Sequence, residues 1–224
     1  MNADFAKQRA RMVDGQLRTT DVTDNLLLSV MGTLPRELFV AEAYRPLAYI
    51  DEDLEITPAD DQGPARYLME PSPFARLVQL ANIRATDRIL DVGCGTGYSS
   101  AVFSRLGSAV VALESDSKLA ARARGNLSVL GIANVTVVEG PLREGYAKDA
   151  PYDVIFVGGA VETVPETLCA QLAEGGRLVS VVGYGNAAAA RLYVKEEGVV
   201  TGRRVFNAAV KPLPGFEKEA VFEF

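Results

Sequence analysis

Asp91, Gly93, Gly95 and Gly97 are the residues whose spacing points most directly to a ligand. They fall in RILDVGCGTGYSS, residues 88 to 100, where an apolar run turns through glycines into a helical pattern. Glycine lets the backbone turn sharply and come close to a bound molecule, and open α/β sheets bind ligands at the carboxyl ends of their strands. A dinucleotide fingerprint from Gly93 onward requires a third glycine where the chain has Tyr98. Glu114 ends the next apolar run, AVVALE, and a carboxylate there can accept hydrogen bonds from both hydroxyls of an adenosine ribose. The chain has 0 histidines, which removes Ser-His and Cys-His nucleophiles and most zinc or iron sites. Any chemistry must proceed without imidazole. The only cysteines, Cys94 and Cys169, form no CxxC and read as free thiols, with no metal expected.

Elements that position these residues follow from periodicity. From about residue 86, the runs RILDV, AVVALE, VTVVEG, DVIFVG and RLVSVVG alternate with the helical patterns YSSAVFSRLG, DSKLAARARGNLSVLG and ETVPETLCAQLAEGG. Continuous β-branched runs suit strands buried on both faces, and βαβ repetition predicts an α/β fold with a parallel sheet and helices on both sides. The last part, from ARLYV to the end, reads as short strands that would form an antiparallel edge. Residues 1–85 give a helix and then an irregular, proline-broken wrap, read as an extension packed on the acceptor side of the 86–224 α/β domain in one folded unit. Within RYLMEPSPF, residues 66 to 74, Ser72 and Pro73 read as the cap and first turn of a helix.

Composition sets the outer bounds. A formal net charge of −6, from 23 Lys and Arg against 29 Asp and Glu, argues against a broad grip on nucleic acid or an anionic membrane. No apolar run reaches the roughly 18 residues of a membrane span, and the first residues lack the apolar stretch of a signal peptide, so a cytoplasmic protein is expected.

The crowded Asp-x-Gly-x-Gly-x-Gly loop resembles that of class I S-adenosylmethionine-dependent methyltransferases, with a Rossmann-like sheet. Together with RARMVDGQL (9 to 17), VTDNLLLSVMGTLPRELFV (22 to 40), AYIDEDLEI (48 to 56), LGIANVTVVEG, APYDVIFVGGA and QLAEGGRLV, the chain resembles the protein-L-isoaspartate O-methyltransferase family over about residues 7 to 185. That resemblance implies methyl transfer from S-adenosylmethionine to the carboxylate of an L-isoaspartyl residue, a protein-repair reaction with isoaspartyl peptides or proteins as partners. It implies cofactor contacts at Asp91, Gly93, Cys94, Gly95, Thr96, Gly97, Tyr98, Glu114, Ser115, Pro141 and Leu142, and acceptor-side positions at Tyr49, Asp51, Gly158 and Gly159.

Two departures stand out. The family's Thr-Ile-Ser-x-Pro falls on Tyr67, Leu68, Met69, Glu70 and Pro71, so the serine is replaced by Met69, and Ser72 offers a hydroxyl three residues later. The family's Gly-Asp-Gly becomes Gly140, Pro141 and Leu142, which removes an aspartate used against adenine unless Glu139 or a backbone carbonyl substitutes. Three other readings stay open: a methyltransferase with a different, less polar acceptor; a cofactor-binding paralogue without catalysis; and a nicotinamide oxidoreductase.

Overall fold

The computed structural model describes residues 4–60 and 63–217. Its centre is a seven-stranded sheet in the order β5-β4-β3-β6-β7-β8-β9. The strands are β3 (Arg88–Val92), β4 (Ala109–Glu114), β5 (Val135–Glu139), β6 (Tyr152–Val161), β7 (Leu172–Val182), β8 (Ala189–Glu196) and β9 (Val199–Asn207). The first five run parallel and the last two antiparallel, as the sequence predicts. Residues 218–224, which the sequence also places in the antiparallel edge, lie outside the described residues. Both neighbours of β3 are parallel to it, yet one follows it and the other comes after β5, so the strand order reverses between β3 and β6. Such a reversal leaves a crevice at the carboxyl ends, and the glycine loop opens into it.

Helices α4 (Tyr98–Phe103) and α5 (Ser117–Val129) connect β3 to β4 and β4 to β5. α5 starts cleanly because the Asp116 carboxylate accepts from the N–H groups of Lys118 and Leu119. The pattern ETVPETLCAQLAEGG gives less helix than its spacing predicts: α6 is only Glu166–Ala170, and LAEGG opens β7 instead. Gly175, at φ +72°, adopts within that strand a conformation that helices do not use.

The first 85 residues supply α1 (Phe5–Met12), α2 (Asn25–Thr33), the hairpin of β1 (Leu54–Thr57) and β2 (Arg66–Leu68), and α3 (Pro71–Ala81). α3 begins earlier than the sequence suggests, with Glu70 as its cap and Pro71 in the first turn. Ser72 therefore lies inside the helix, where its hydroxyl donates to Thr20 Oγ1 at 2.8 Å. One hydrophobic cluster joins Met12, Leu27 and Phe39 of the extension to Phe103, Phe156 and Val179 of the sheet domain. At its centre Phe74, Tyr98, Phe103 and Phe156 pack with ring centroids 5.1 to 6.3 Å apart, at angles tilted or edge-on. This aromatic wedge seats α3 beside the crevice, and the β1–β2 hairpin forms the crevice's outer wall.

Candidate active site

Asp91 sits at the floor, fully buried near the end of β3. Its Oδ2 accepts the hydroxyls of Ser99 at 2.6 Å and Ser100 at 2.5 Å, whereas Oδ1 has no partner among the described residues. Burial pushes the carboxyl up to about 6, against the two serine hydroxyls, which favour the ionised form. A buried carboxylate oxygen without a donor calls for a cationic or N–H-bearing ligand group. Above it the loop holds Gly93, Gly95 and Gly97 at φ +81°, +57° and +94°. At Gly97 the need is doubled, since a Cβ would lie 3.2 Å from that of Ala123 on α5.

Glu114 is also fully buried and is heavily used. Its Oε2 accepts from Gly95 N at 2.8 Å, and its Oε1 from Ser115 N at 2.8 Å and Asp116 N at 3.1 Å. Arg66 adds a two-pronged ion pair at 2.7 and 2.8 Å. The loop and β4 are thus tied through one carboxylate, and the start of β2 is clamped to the same point.

The crevice has an inner chamber lined by Tyr67, Leu68, Met69, Phe74, Phe156 and the Gly93–Ser99 loop. An adjoining chamber is bounded by Asp53, Arg66, Met69, Gly158, Lys211 and Leu213, among others. Beyond the Arg66–Glu114 pair, Ser115, Pro141, Leu142, Pro214 and Gly215 line a wider recess.

The two chambers and the recess bring most of the expected residues together. Met69 lines both inner chambers, in the place where the resemblance puts a serine, and its carbonyl accepts from Arg36 Nη2 at 2.7 Å. Cys94 is buried in the loop, and desolvation together with the nearby Asp91 and Glu114 charges pushes its thiol well above the ordinary value, which suits a filler rather than a nucleophile. Thr96 lines the inner chamber through the loop, but its hydroxyl is spent on Phe39 O at 2.7 Å. Tyr98 is an aromatic core residue at the same wall. Ser115, Pro141 and Leu142 border the outer recess. Glu139 lines none of these spaces and pairs instead with Arg124 of α5 at 2.9 Å, in an exposed ion pair.

Four expectations need correction. Tyr49 does not face the crevice: its hydroxyl accepts from Arg9 Nε at 2.9 Å and donates to Glu37, which makes it a strut of the extension. Asp51 instead lies beside Glu70, within reach of a side-chain hydrogen bond, and lines neither inner chamber. Burial first, and then the neighbouring Asp51, push the Glu70 carboxyl up to about 7, so Glu70 carries less negative charge at neutrality than a free carboxylate would. Ser72 is committed to Thr20 and lines neither inner chamber. Gly158 lines the chambers, but Gly159 serves another purpose: a Cβ there would meet Leu213 Cβ at 2.9 Å and Lys211 O at 3.0 Å. Its bareness admits the C-terminal segment, which hydrogen-bonds Ala160 through Lys211 O (2.9 Å) and Leu213 N (2.8 Å).

Sequence reasoning missed Arg66, Asp53, Lys211 and Leu213. Arg66 had a usable signal, since it directly precedes the divergent loop segment Tyr67–Pro71. The other three are brought to the site only by tertiary docking.

The fit to S-adenosylmethionine is favourable. Asp91 Oδ1 awaits a donor such as the α-ammonium of its methionine part, the glycine loop gives backbone access, and Glu114 stands where a ribose is received. Asp91→Asn is expected to weaken binding of S-adenosylhomocysteine, which keeps that ammonium, about ten- to a hundredfold by calorimetry, the loss of one charged hydrogen bond of about 1.5–3 kcal/mol.

Strand order, glycine loop and terminal glutamate together define a class I methyltransferase. A profile of the protein-L-isoaspartate(D-aspartate) O-methyltransferase family matches residues 7–217, well past the stretch recognisable by motif alone. The chain is 39% identical over 211 residues to the protein-L-isoaspartate O-methyltransferase of Koribacter versatilis, covering 94% of this chain and 92% of the relative. It is 37% identical to that of Roseiflexus sp., over 95% and 94%. A solved protein-L-isoaspartate O-methyltransferase superposes with a TM-score of 0.80 at 30% identity, over 93% of this chain and 67% of the other. A Plasmodium falciparum structure described as a complex with S-adenosyl-L-homocysteine shares the fold at a TM-score of 0.76 and 20% identity, over 92% and 98%. The chain belongs to the protein-L-isoaspartate O-methyltransferase family, a family of S-adenosylmethionine-dependent enzymes. No metal-ligating cluster of three or more His, Cys, Asp or Glu occurs among the described residues.

Proposed function

We propose that this protein methylates the free carboxylate of L-isoaspartyl residues in damaged peptides or proteins, as one folded unit working in the cytoplasm. The observation that carries this reading is the position of the β2 loop. Met69 and Tyr67 form a wall of the same chamber whose floor is the glycine loop, so an acceptor entering past the hairpin meets the cofactor crevice directly. No helix among the described residues is long and apolar enough to cross a membrane, which agrees with a protein substrate reached in solution.

S-adenosylmethionine supplies an electrophilic methyl group on a sulfonium. The protein's part is to bind, align and keep water out. Carboxyl groups in water ordinarily titrate at about pH 3.3 to 4.3, so a carboxylate acceptor is already ionised at neutrality and no general base is required. This accounts for an active site without histidine. Apolar walls from Leu68, Phe74 and Phe156 exclude water and strengthen the attraction between anion and cation within the chamber. Met69 narrows that chamber but contributes no donor, since a thioether accepts hydrogen bonds only weakly and donates none.

A different, less polar acceptor is the second reading, favoured specifically by the Tyr67, Leu68 and Met69 wall. The deciding assay follows release of S-adenosylhomocysteine with an isoaspartyl peptide and its aspartyl control. Turnover with the first alone is the expected result, and Met69→Ser is expected to raise kcat/KM by about tenfold, the worth of one recovered hydrogen bond to a charged group. Absence of turnover at high enzyme concentration, with methylation of an apolar metabolite instead, overturns the isoaspartyl assignment.

A further inference from the structure

Glu114 receives six donors: three backbone N–H groups, the Ser115 hydroxyl at 3.4 Å and both prongs of Arg66. A carboxylate offers about four lone-pair sites, so the ribose hydroxyls of a cofactor find none free. The Gly95, Ser115 and Asp116 amides are built into the loop and the start of α5 and have nowhere to go. Of the two side-chain donors, the Ser115 hydroxyl makes only a long contact at 3.4 Å, and Arg66 is the one that holds both oxygens and can swing away. Its departure point is informative, because Arg66 also lines the chamber that contains Met69, Asp53 and Lys211.

On the isoaspartyl reading that chamber receives the acceptor carboxylate, and Met69 lines it where the family's serine is missing. Lys211 stands there with its Nζ over the Tyr67 ring at 5.1 Å from the centroid. Asp53, the acidic group on the same wall, accepts from Glu70 N at 2.9 Å and is already offset by the charges of Lys211 and Arg36. A guanidinium displaced into this partly buried space requires a new carboxylate, and its planar fork suits one.

We propose that Arg66 is exchanged between two carboxylates, holding Glu114 in the free enzyme and, once the cofactor ribose takes Glu114, receiving the acceptor's carboxylate together with Lys211. This rests on the isoaspartyl reading, since it requires an anionic acceptor. Arg66 then binds the oxygen that does not attack and leaves the other's lone pair free. The attacking oxygen gains a bond to the methyl carbon, the carbon–sulfur bond breaks with its electron pair passing to sulfur, and no proton moves, so Arg66 stays charged throughout. The contact absent at Met69 is thereby supplied from three residues upstream. Arg66 also makes the order of binding matter: the acceptor's cation becomes available only after the cofactor is in place.

Two titrations and one rate measurement test this. For Arg66→Gln, S-adenosylhomocysteine should bind as tightly as to the wild type or up to about tenfold more tightly, because a competitor for Glu114 is gone. An isoaspartyl peptide titrated into the S-adenosylhomocysteine complex should bind ten- to a hundredfold more weakly, with KM rising in step and kcat changing only a few-fold. Arg66→Lys, which keeps the charge and loses the fork, should recover part of the peptide affinity. Lys211→Gln should weaken the peptide and leave the cofactor unaffected. If Arg66→Gln and Arg66→Lys both lose S-adenosylhomocysteine affinity and bind peptide normally, Arg66 is only a strut and the exchange is wrong. If the wild type binds the peptide in an Arg66-dependent way without turning it over, the exchange stands and the assigned reaction fails.

Discussion

Glu114→Gln is expected to bring S-adenosylhomocysteine binding below detection by calorimetry and to lower stability by about 3–5 kcal/mol, the penalty for breaking a buried ion pair from one side. The Arg66 side chain is 8% exposed and that of Glu114 0%, so water does little to rescue the guanidinium left behind. Among the described residues its hydrogen bonds go to Glu114 alone. The substituting amide makes matters worse. One of its two positions becomes an NH2 group, which must face either the Gly95 N–H or the Ser115 and Asp116 N–H groups, donor against donor. For a chain of this size the loss corresponds to roughly 6 to 20 °C in Tm, read by thermal unfolding. Arg66→Gln should shift Tm much less, because Glu114 without Arg66 keeps three amide donors, whereas Arg66 without Glu114 keeps none. Equal shifts for the two variants would show that the amides do not hold the carboxylate.

The glycine loop and Glu114 were legible in the sequence because everything that defines them is local. Asp91 to Tyr98 joins one strand to one helix, Glu114 ends the next strand, and the βαβ alternation places both at the same sheet edge. Met69 was legible too, as a misfit within a recognisable segment. Other parts depend on pairings that no local pattern announces. The clamp on Glu114 comes from a residue 48 positions away, and Lys211 reaches the chamber only because the C-terminal segment docks on Ala160, across a Gly159 that leaves it room. Ser72 was misplaced by two residues, since Ser-Pro and Glu-Pro are both good helix starts and burial of Phe74 and Ala75 decides which one is used. Tyr49 was assigned to the acceptor because its segment borders the site in sequence. In three dimensions its hydroxyl is claimed by Arg9 and Glu37.

Arg36→Ala is expected to cost about 3–5 kcal/mol and to loosen the acceptor loop, although Arg36 itself lines neither inner chamber and acts from behind Met69 and Tyr98, which do. Its side chain is fully buried, so burial lowers its pKa, with the Tyr98 hydroxyl first, then Tyr49 and Asp53, opposing. Among the described residues no carboxylate pairs with it directly. The charge is held instead by two carbonyls, Ala48 O at 2.7 Å from Nε and Met69 O at 2.7 Å from Nη2, and by the Tyr98 ring 4.9 Å from the guanidinium carbon. These contacts join three separate pieces: the turn before β1, the loop after β2 and the aromatic wedge under the glycine loop. Truncation opens a cavity of side-chain size and strands two buried carbonyls, and each effect alone is worth about 1–3 kcal/mol or more. Because Met69 loses its backbone tether, the effect should appear in catalysis as well as in stability. KM for the acceptor should rise by about tenfold or more at temperatures where the protein is still folded, with S-adenosylhomocysteine affinity changing much less, since the Glu114 cluster is anchored separately through Gly95, Ser115 and Asp116. Arg36→Lys should not restore either property, because an ammonium reaches one carbonyl at a time where the guanidinium spans both. A melting temperature within about 2 °C of the wild type for Arg36→Ala would show that the loop is held by its apolar contacts alone.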